Sequence, residues 1–333
     1  MHLLPTSERY YPVSAYYKAR FGRRVYKVSV SVAQTCPNRE GANGADVCVF
    51  CDEWGSAAYH RTVHLDLVEQ FRVNSEQIKT HYKAEQFLVY FQAYTNTFAR
   101  VSELKALFDT ALAQPDVIGL VVGTRPDCLS SGAMKLLSQT AEEKYVSVEL
   151  GLQTLDDEQL RFLSRGHDAA CSLAALEKLS AYPKVDVCVH LMFGLPGETD
   201  EQLQQTARTL SAAGVHGVKL HNLHVLRETP LANLYDRGEF VPVTQQEYAR
   251  KVGVFLEHLS PQVVVHRLNA VANRWEDIVA PDWAKSKMGT TQLIRDYMAS
   301  IDTWQGKYYD GVLQPSPVAT VIDSKLAIEE GGS

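Results

Sequence analysis

The chain has 333 residues, 45% of them hydrophobic and 22% charged, and a formal net charge of −6. That balance fits a globular protein with a large core, excludes a disordered chain, and gives no global pull toward nucleic acid. No apolar run approaches the roughly 20 residues of a membrane span, and "MHLLPTSERYYPV" lacks the basic segment and apolar core of a signal peptide, so a cytoplasmic, membrane-free protein with six reduced cysteines is expected.

After an extension over residues 1–24, short β-branched runs alternate with helical patterns. The runs are "YKVSVSV" (Tyr26 to Val32), "QFLVYFQ" (Gln86 to Gln92), "VIGLVVG" (Val117 to Gly123), "YVSVEL" (Tyr145 to Leu150), "VDVCVHL" (Val185 to Leu191) and "GVKLHNLHVL" (Gly217 to Leu226). Between them lie "HLDLVEQFRVNSEQIKTHY", "VSELKALFDTALA", "SGAMKLLSQTAEE", "AACSLAALEKLSAY" and "DEQLQQTARTLSAAG", the last closed by Gly214 as a helix stop. Repeated strand–helix units imply parallel strands. Six units fit an open doubly wound sheet or an incomplete TIM-type barrel, and in both the chemistry sits at the C-terminal strand ends. The core is expected over residues 25–230. Residues 231–312 are expected to form a C-terminal extension packed on it, and 313–333 a flexible tail. Nothing in the sequence sets an oligomeric state.

The first strand feeds "CPNREGANGADVCVFC", which places Cys36, Cys48 and Cys51 in one Gly-rich loop. Three readings stand side by side. The thiols could be unrelated. They could hold zinc with His60 or His64 as a fourth ligand, since a closed zinc site wants four protein ligands. Or they could hold an iron–sulfur cluster by three thiolates, which leaves one iron open to a substrate or cofactor.

The C-x11-C-x2-C spacing resembles a lengthened form of the C-x3-C-x2-C motif of radical S-adenosylmethionine (SAM) enzymes. The long spacing is similar to the elongator-catalytic-subunit-like branch. The ordered series "TCPNREG", "CVFCD", "YFQAYTNTFA", "VVGTRPDCL", "ELGLQT", "RGHDAAC", "HLMFGLPGE", "KLHNLHVL" and "LAPDW"-like "VAPDW" resembles YhcC/YtqA-type radical SAM proteins, from about Tyr16 to Met298. The resemblance implies an enzyme on a partial (β/α)6 TIM-type barrel with N- and C-terminal additions. It implies a 4Fe–4S cluster on Cys36, Cys48 and Cys51, whose open iron binds SAM. Reductive cleavage of SAM then gives a 5′-deoxyadenosyl radical, with electrons from a reductant such as flavodoxin or ferredoxin.

The same resemblance implies the cofactor contacts. Phe50 would lie near adenine, as would Met192 and Phe193. Gln92, Tyr94 and Thr95 would face the SAM ammonium, Glu149 and Gln153 the ribose or methionyl group, and Arg165 the methionyl carboxylate, which a guanidinium fork suits. Plainer alternatives are a strand-end turn with Thr97 capping the next helix, a Glu149–Arg165 salt bridge, and a tight turn at Gly194, Pro196 and Gly197.

On the substrate side, Arg125, Asp127 and Cys128 are candidates for an anchor, a base or a reactive thiol, with a buried Arg–Asp pair as the alternative. Lys219 and His221 share one strand face, and His224 falls on the other if the strand continues. Cys171 and Cys188 read as small buried hydrophobes, with no second cluster. The resemblance further suggests tRNA as partner, through trimming of a carboxymethylaminomethyl side chain on the wobble uridine. Lys18, Arg20, Arg23, Arg24 and Lys27 could then contact phosphates at the barrel mouth, extended by Arg267, Arg274, Lys285 and Lys287. A small metabolite or peptide substrate, or a non-catalytic metal-binding scaffold, is the alternative.

Overall fold

A computed structural model describes residues 8–311 apart from 34, 43, 45, 56–59 and 273. The expected tail, and the start of the N-terminal extension, lie outside the described residues. The strands in chain order are β1 (Val25–Val30), β2 (Gln86–Phe91), β3 (Val117–Thr124), β4 (Tyr145–Gln153), β5 (Val185–Phe193), β6 (Gly217–Asn222), β7 (Val225–Leu226), β8 (Val264–Arg267) and β9 (Ile278–Ala280). The helices are α1 (Val13–Phe21), α2 (Leu67–Tyr82), α3 (Val101–Leu112), α4 (Ser131–Ala141), α5 (Asp157–Phe162), α6 (Ala169–Ser180), α7 (Asp200–Ala212), α8 (Pro230–Asp236), α9 (Gln245–His258) and α10 (Lys287–Ser300).

Seven strands form one sheet in the order β1-β2-β3-β4-β5-β6-β8, every neighbouring pair parallel. Side chains alternate across it. Val28, Val30, Val89, Val122, Val148 and Val189 point outward and pack under Phe71, Leu104, Phe108, Leu137 and Leu176 of the helices. Each such side chain, fully buried, stabilises the fold by roughly 1.5–3 kcal/mol. All seven strands contribute residues to one cavity on the opposite side of the sheet, so the sheet curls into part of a barrel. Local signals start and stop the helices as composition implies: Asp66, Ser130, Asp168 and Thr199 cap α2, α4, α6 and α7 with side-chain acceptors, and Gly214 follows α7 at φ +67°.

The N-terminal ends of the strands are plugged by aromatic rings. Tyr11, Tyr16 and Tyr17 pack on Leu88, Tyr90, Val121, Tyr145 and Val264. The Tyr16 hydroxyl donates to Asp186 at 2.6 Å, and Arg20 lies 3.5 Å from the same carboxylate at the start of β5. The free edge of β8 is covered by the N-terminal segment, where the Val265 amide donates to the Tyr11 carbonyl at 2.7 Å.

Two features differ from the sequence reading. The six expected strands are joined by a seventh, β8, whose four residues are too short to stand out as a run. The "GVKLHNLHVL" run is broken: β6 ends at Asn222, and Val225–Leu226 pairs antiparallel with β9 instead. Among the described residues, no helix is long and apolar enough to cross a membrane.

Candidate active site

Between the C-terminal end of β1 and Gly55 the described residues form no helix or strand. The Arg39 and Glu40 amides donate to the Cys36 carbonyl, and the Cys51 amide donates to the Cys48 carbonyl at 2.9 Å. The loop is fastened from outside: the Val49 amide donates to the Leu163 carbonyl, and the Leu231 amide to the Val49 carbonyl. Cys36, Cys48 and Cys51 all line the barrel cavity, whose volume is about 670 Å³. Hydrogen-bond donors are aimed at two of the sulfurs. Cys48 Sγ accepts from Arg165 Nη1 at 3.3 Å and from Asn38 Nδ2 at 3.4 Å, and Cys51 Sγ from Arg39 Nη2 at 3.6 Å. Burial pushes the Cys51 thiol up to about 11, against the lowering effect of Arg39.

This donor set fits a cluster held by three thiolates. All six cysteines are free. Four ligands around one zinc ion place sulfurs about 3.8 Å apart, from Zn–S bonds of about 2.3 Å. Among the described residues, the group of three His, Cys, Asp or Glu ligand atoms that lies within 4.8 Å of one another is Glu149, Cys188 and His266, and the loop cysteines stand wider. His64 is exposed and does not line the cavity. The side chain of His60 lies outside the described residues.

Strand ends form the cavity wall. Gln92, Tyr94 and Thr95 follow β2; Gly151 and Gln153 end β4; Met192 ends β5; Phe50 comes from the cysteine loop. Tyr94 and Gln153 take left-handed backbone, at φ +57° and +72°, which is strained for side-chain-bearing residues. Tyr94 is held there by its hydroxyl, which donates to the Glu53 carbonyl at 2.6 Å, and by the Arg39 guanidinium 5.3 Å above its ring. Arg165 crosses from the loop after α5, with Nη2 donating to the Gly151 carbonyl at 2.8 Å. A Cβ on Gly151 would lie 3.1 Å from Gln153 Nε2 and 3.4 Å from that Arg165 nitrogen, so the glycine mainly leaves room for the Gln153 side chain.

Three sequence candidates do not face the cavity. Phe193 follows Met192, and alternation turns it onto Phe255 in the outer core, ring centroids 5.2 Å apart. Asp127 forms a bidentate pair with Arg125, at 2.9 and 2.8 Å. Burial alone would raise the Asp127 pKa, but Arg125 outweighs it and the net direction is down. Cys128 is buried, and burial together with Asp127 pushes its thiol up to about 12, which keeps it protonated and unreactive. Arg125 itself does line the cavity, and donates to the Arg165 carbonyl at 2.6 Å. Thr97 does not cap α3. Its hydroxyl bonds to Thr124 and to the Cys128 carbonyl, and Arg100 is the cap residue.

The floor of the cavity is ionic. Glu149 is fully buried and does not pair with Arg165. One carboxylate oxygen accepts from Lys27, the other from Lys219 at 2.7 Å and His190 at 2.6 Å. Burial would raise the Glu149 pKa, but the two ammonium groups and His190 hold it well below the usual carboxylate range. Lys219 also reaches the Tyr90 hydroxyl at 3.2 Å. Burial pulls Lys219 down to about 8, opposed by Glu149 and helped by the nearby Arg267 and Lys27. Burial, with Lys219, also holds His190 at about 4. His224 joins the cavity rather than the far face, because β6 has already ended. Its ring stacks on His221 with centroids 5.1 Å apart, and burial brings His224 to about 4 and His221 well below its ordinary value.

Lys27, His190 and Arg267 line this floor; the sequence pointed to Lys27 and Arg267 only as phosphate contacts at the mouth, and to His190 not at all. A signal was present. Parallel strands buried on both faces read as continuous apolar runs. Asp186 and His190, an even number of residues apart in "VDVCVHLMF", and Lys27 and Ser29 in "VYKVSV", break that pattern on one face.

The expected N-terminal basic patch does not sit at the mouth. Arg20 is tied to Asp186 at the opposite end, and Lys27 is inside the barrel on Glu149. Arg267, Arg274 and Lys287 do line the cavity, while Lys285 pairs with Asp282 on the surface at 2.8 Å. Arg274 reaches the loop residue Asp52 at 3.4 Å and stacks 5.9 Å from the Trp54 ring.

Residues 30–210 match the radical SAM superfamily model, and residues 215–300 match the radical SAM C-terminal domain. The chain is 32% identical over 311 residues to YtqA of Bacillus subtilis, covering 93% of this chain and 96% of that one. It is 36% identical over 269 residues to YhcC of Escherichia coli, covering 80% and 85%. A tRNA uridine(34) acetyltransferase of Methanocaldococcus infernus is 29% identical over 184 residues, 54% of this chain and 33% of that protein. In fold, the chain is similar to the archaeal Elp3 of Methanocaldococcus infernus, with a TM-score of 0.61 at 19% identity, over 85% of this chain and 64% of that one. Matched over more than half its length by the family model and along nearly all of it by YtqA, the chain belongs to the radical SAM superfamily, enzymes whose cofactors are a 4Fe–4S cluster and S-adenosylmethionine.

Proposed function

We propose that Cys36, Cys48 and Cys51 hold the 4Fe–4S cluster, and that the cavity beneath it takes SAM and the C5 side chain of a tRNA wobble uridine. The observation that carries the first part is the set of three thiols opening into one cavity with Arg165, Asn38 and Arg39 aimed at two of the sulfurs. When bound, the cluster supplies the electron that cleaves SAM to methionine and a 5′-deoxyadenosyl radical, which removes a hydrogen atom from the substrate. The protein's part is to place and shield. Arg165 offers a fixed cation beside Cys48 for the methionyl carboxylate. Gln92, Tyr94 and Thr95 offer polar acceptors to its ammonium, and Gln153 a polar group at the bulged end of β4. Phe50 and Met192 form apolar surface for adenine. Lys219, His221 and Arg125 remain on the substrate side, with the wall histidines neutral at pH 7 and able to give or accept hydrogen bonds without charge.

The tRNA part is supported by the similarity to a tRNA uridine(34) acetyltransferase and by Arg267, Arg274 and Lys287 on the cavity wall, cations of the kind that meet phosphate or carboxylate. The test is to digest total tRNA from cells with and without the gene and weigh the nucleosides. A shift from aminomethyl toward carboxymethylaminomethyl wobble uridine on deletion supports the reading. An unchanged profile, with no tRNA binding at low salt, removes tRNA and leaves the radical chemistry standing.

A further inference from the structure

The floor of the cavity carries three cations and one carboxylate. Lys27, Lys219 and Arg267 line it, and Glu149 is the acid among them. Both oxygens of Glu149 are occupied by Lys27, Lys219 and His190. Glu149, Cys188 and His266 come within 4.8 Å of one another, but a metal cation there would have to displace two ammonium groups from the same carboxylate, so a cation site is excluded on charge. Arg267 donates Nε to the Leu220 carbonyl at 3.1 Å, and its two terminal amino groups have no partner among the described residues. They are open to the cavity. A half-buried guanidinium with no carboxylate bonded to it is costly, and three cations against the single Glu149 carboxylate leave this floor two anions short. Lys287, also on the cavity wall and with no side-chain partner among the described residues, adds a further positive charge in the field of Arg267.

We propose that Arg267, with Lys219 as its register partner on the neighbouring strand, is the subsite for a carboxylate carried by the substrate, bound in the bidentate manner a guanidinium favours. This rests on the reading of the cavity as the reaction chamber, and it narrows the substrate class to carboxylate-bearing molecules. A wobble uridine with a carboxymethylaminomethyl arm is one of these. Two sources could supply a carboxylate here, the substrate or the methionyl end of SAM. On the function proposed above, Arg165, beside Cys48, meets the SAM carboxylate, which leaves Arg267 on β8 for the substrate.

The test uses the reconstituted holoenzyme and sarcosine as probe, because it reproduces the methylamino-acetate end of such an arm. Dimethylamine, which lacks the carboxylate, is the control. Saturation-transfer NMR should detect sarcosine and not dimethylamine on the wild-type enzyme. In Arg267→Gln sarcosine affinity should fall roughly tenfold or more, with SAM affinity and visible absorbance kept as proof of an intact cluster and fold. Arg267→Lys should recover part of the loss. Equal sarcosine binding in wild type and Arg267→Gln, or none in wild type, overturns the proposal. So does a loss of SAM affinity in Arg267→Gln with absorbance intact, which would assign the carboxylate to SAM. Failure of tRNA as substrate reads out separately, as sarcosine bound by the enzyme but a wobble-uridine anticodon stem-loop not bound.

Discussion

Among the described residues between Cys36 and Cys51 the backbone makes turns, and two of the three sulfurs meet side-chain donors from the loop itself and from Arg165. Glu149 sits instead in the middle of a parallel strand, its neighbours fixed by ladders on both sides and its oxygens already met by three side chains. The two regions share one cavity and follow opposite strategies. The loop has few apolar anchors, so on the proposed function a bound cluster is expected to supply much of its order. The floor is built before any ligand arrives, and charges that would be costly alone are placed by strands that cannot move. The difference teaches where each kind of failure will appear: in iron content for the loop, and in global stability for the floor.

The sharpest way to break this contrast is at the cysteines. Alanine at Cys36, Cys48 or Cys51 should abolish bound iron and all SAM cleavage, with little change in the urea midpoint of the apo protein. Alanine at Cys171 or Cys188 should keep iron and turnover. Iron assay and visible absorbance after anaerobic reconstitution decide it, and equal iron loss in both groups would mean other ligands hold the cluster.

Glu149→Gln should do the reverse. It leaves Lys27 and Lys219 buried without their counter-charge, and breaking a buried pair from one side costs about 3–5 kcal/mol. Urea denaturation should show that loss, while iron binding at low temperature persists. A fall in iron with stability unchanged would place Glu149 in the cluster's service instead.

Acid should also separate the regions. His190 and His224 are held at about 4, against about 6.5 in the unfolded chain. The unfolded chain therefore binds more protons between these values. Their contribution is complete above about pH 6.5 and is lost as pH falls toward 4, by about 1–2 kcal/mol per histidine at pH 5. Glu149, whose pKa is depressed, adds a further loss at lower pH, as its carboxylate is protonated. Urea midpoints at pH 7.5 and pH 5 should differ in this direction, and His190→Gln should reduce the difference. A flat profile would mean that the floor histidines are already protonated or solvated.

Arg165→Ala probes the seam between the two regions. It should keep the cluster and weaken SAM binding by about 1.5–3 kcal/mol, the range for a lost charge-assisted hydrogen bond. Calorimetry on reconstituted protein measures it, and loss of iron would instead mark Arg165 as a structural strut of the Cys48 end. The smallest effect is expected at Arg274→Ala. Its partly exposed ion pair with Asp52 is worth about 0.2–1 kcal/mol, yet it links the C-terminal segment to the cysteine loop. Hydrogen exchange should quicken in the loop and leave β4 and β5 unchanged.

The sequence by itself determined the alternation of strands and helices, the end of the barrel where chemistry sits, and the crowding of three cysteines in one loop. These follow from local rules: β-branched runs, capping residues such as Asp168 and Thr199, and spacing along the chain. It also flagged Glu149, because an acid in an apolar run needs a partner. Only the tertiary structure decided which partner. Arg165, close in sequence, turns to Cys48, while Lys27 and Lys219, 122 and 70 residues away, reach the carboxylate. Likewise Met192 and Phe193 are adjacent in the chain and face opposite sides of the sheet, and Arg20 and Lys27 read as one basic patch but end in different compartments of the barrel. Curling of seven parallel strands brings together side chains that no spacing rule connects, and charge pairing then selects among them by distance in space.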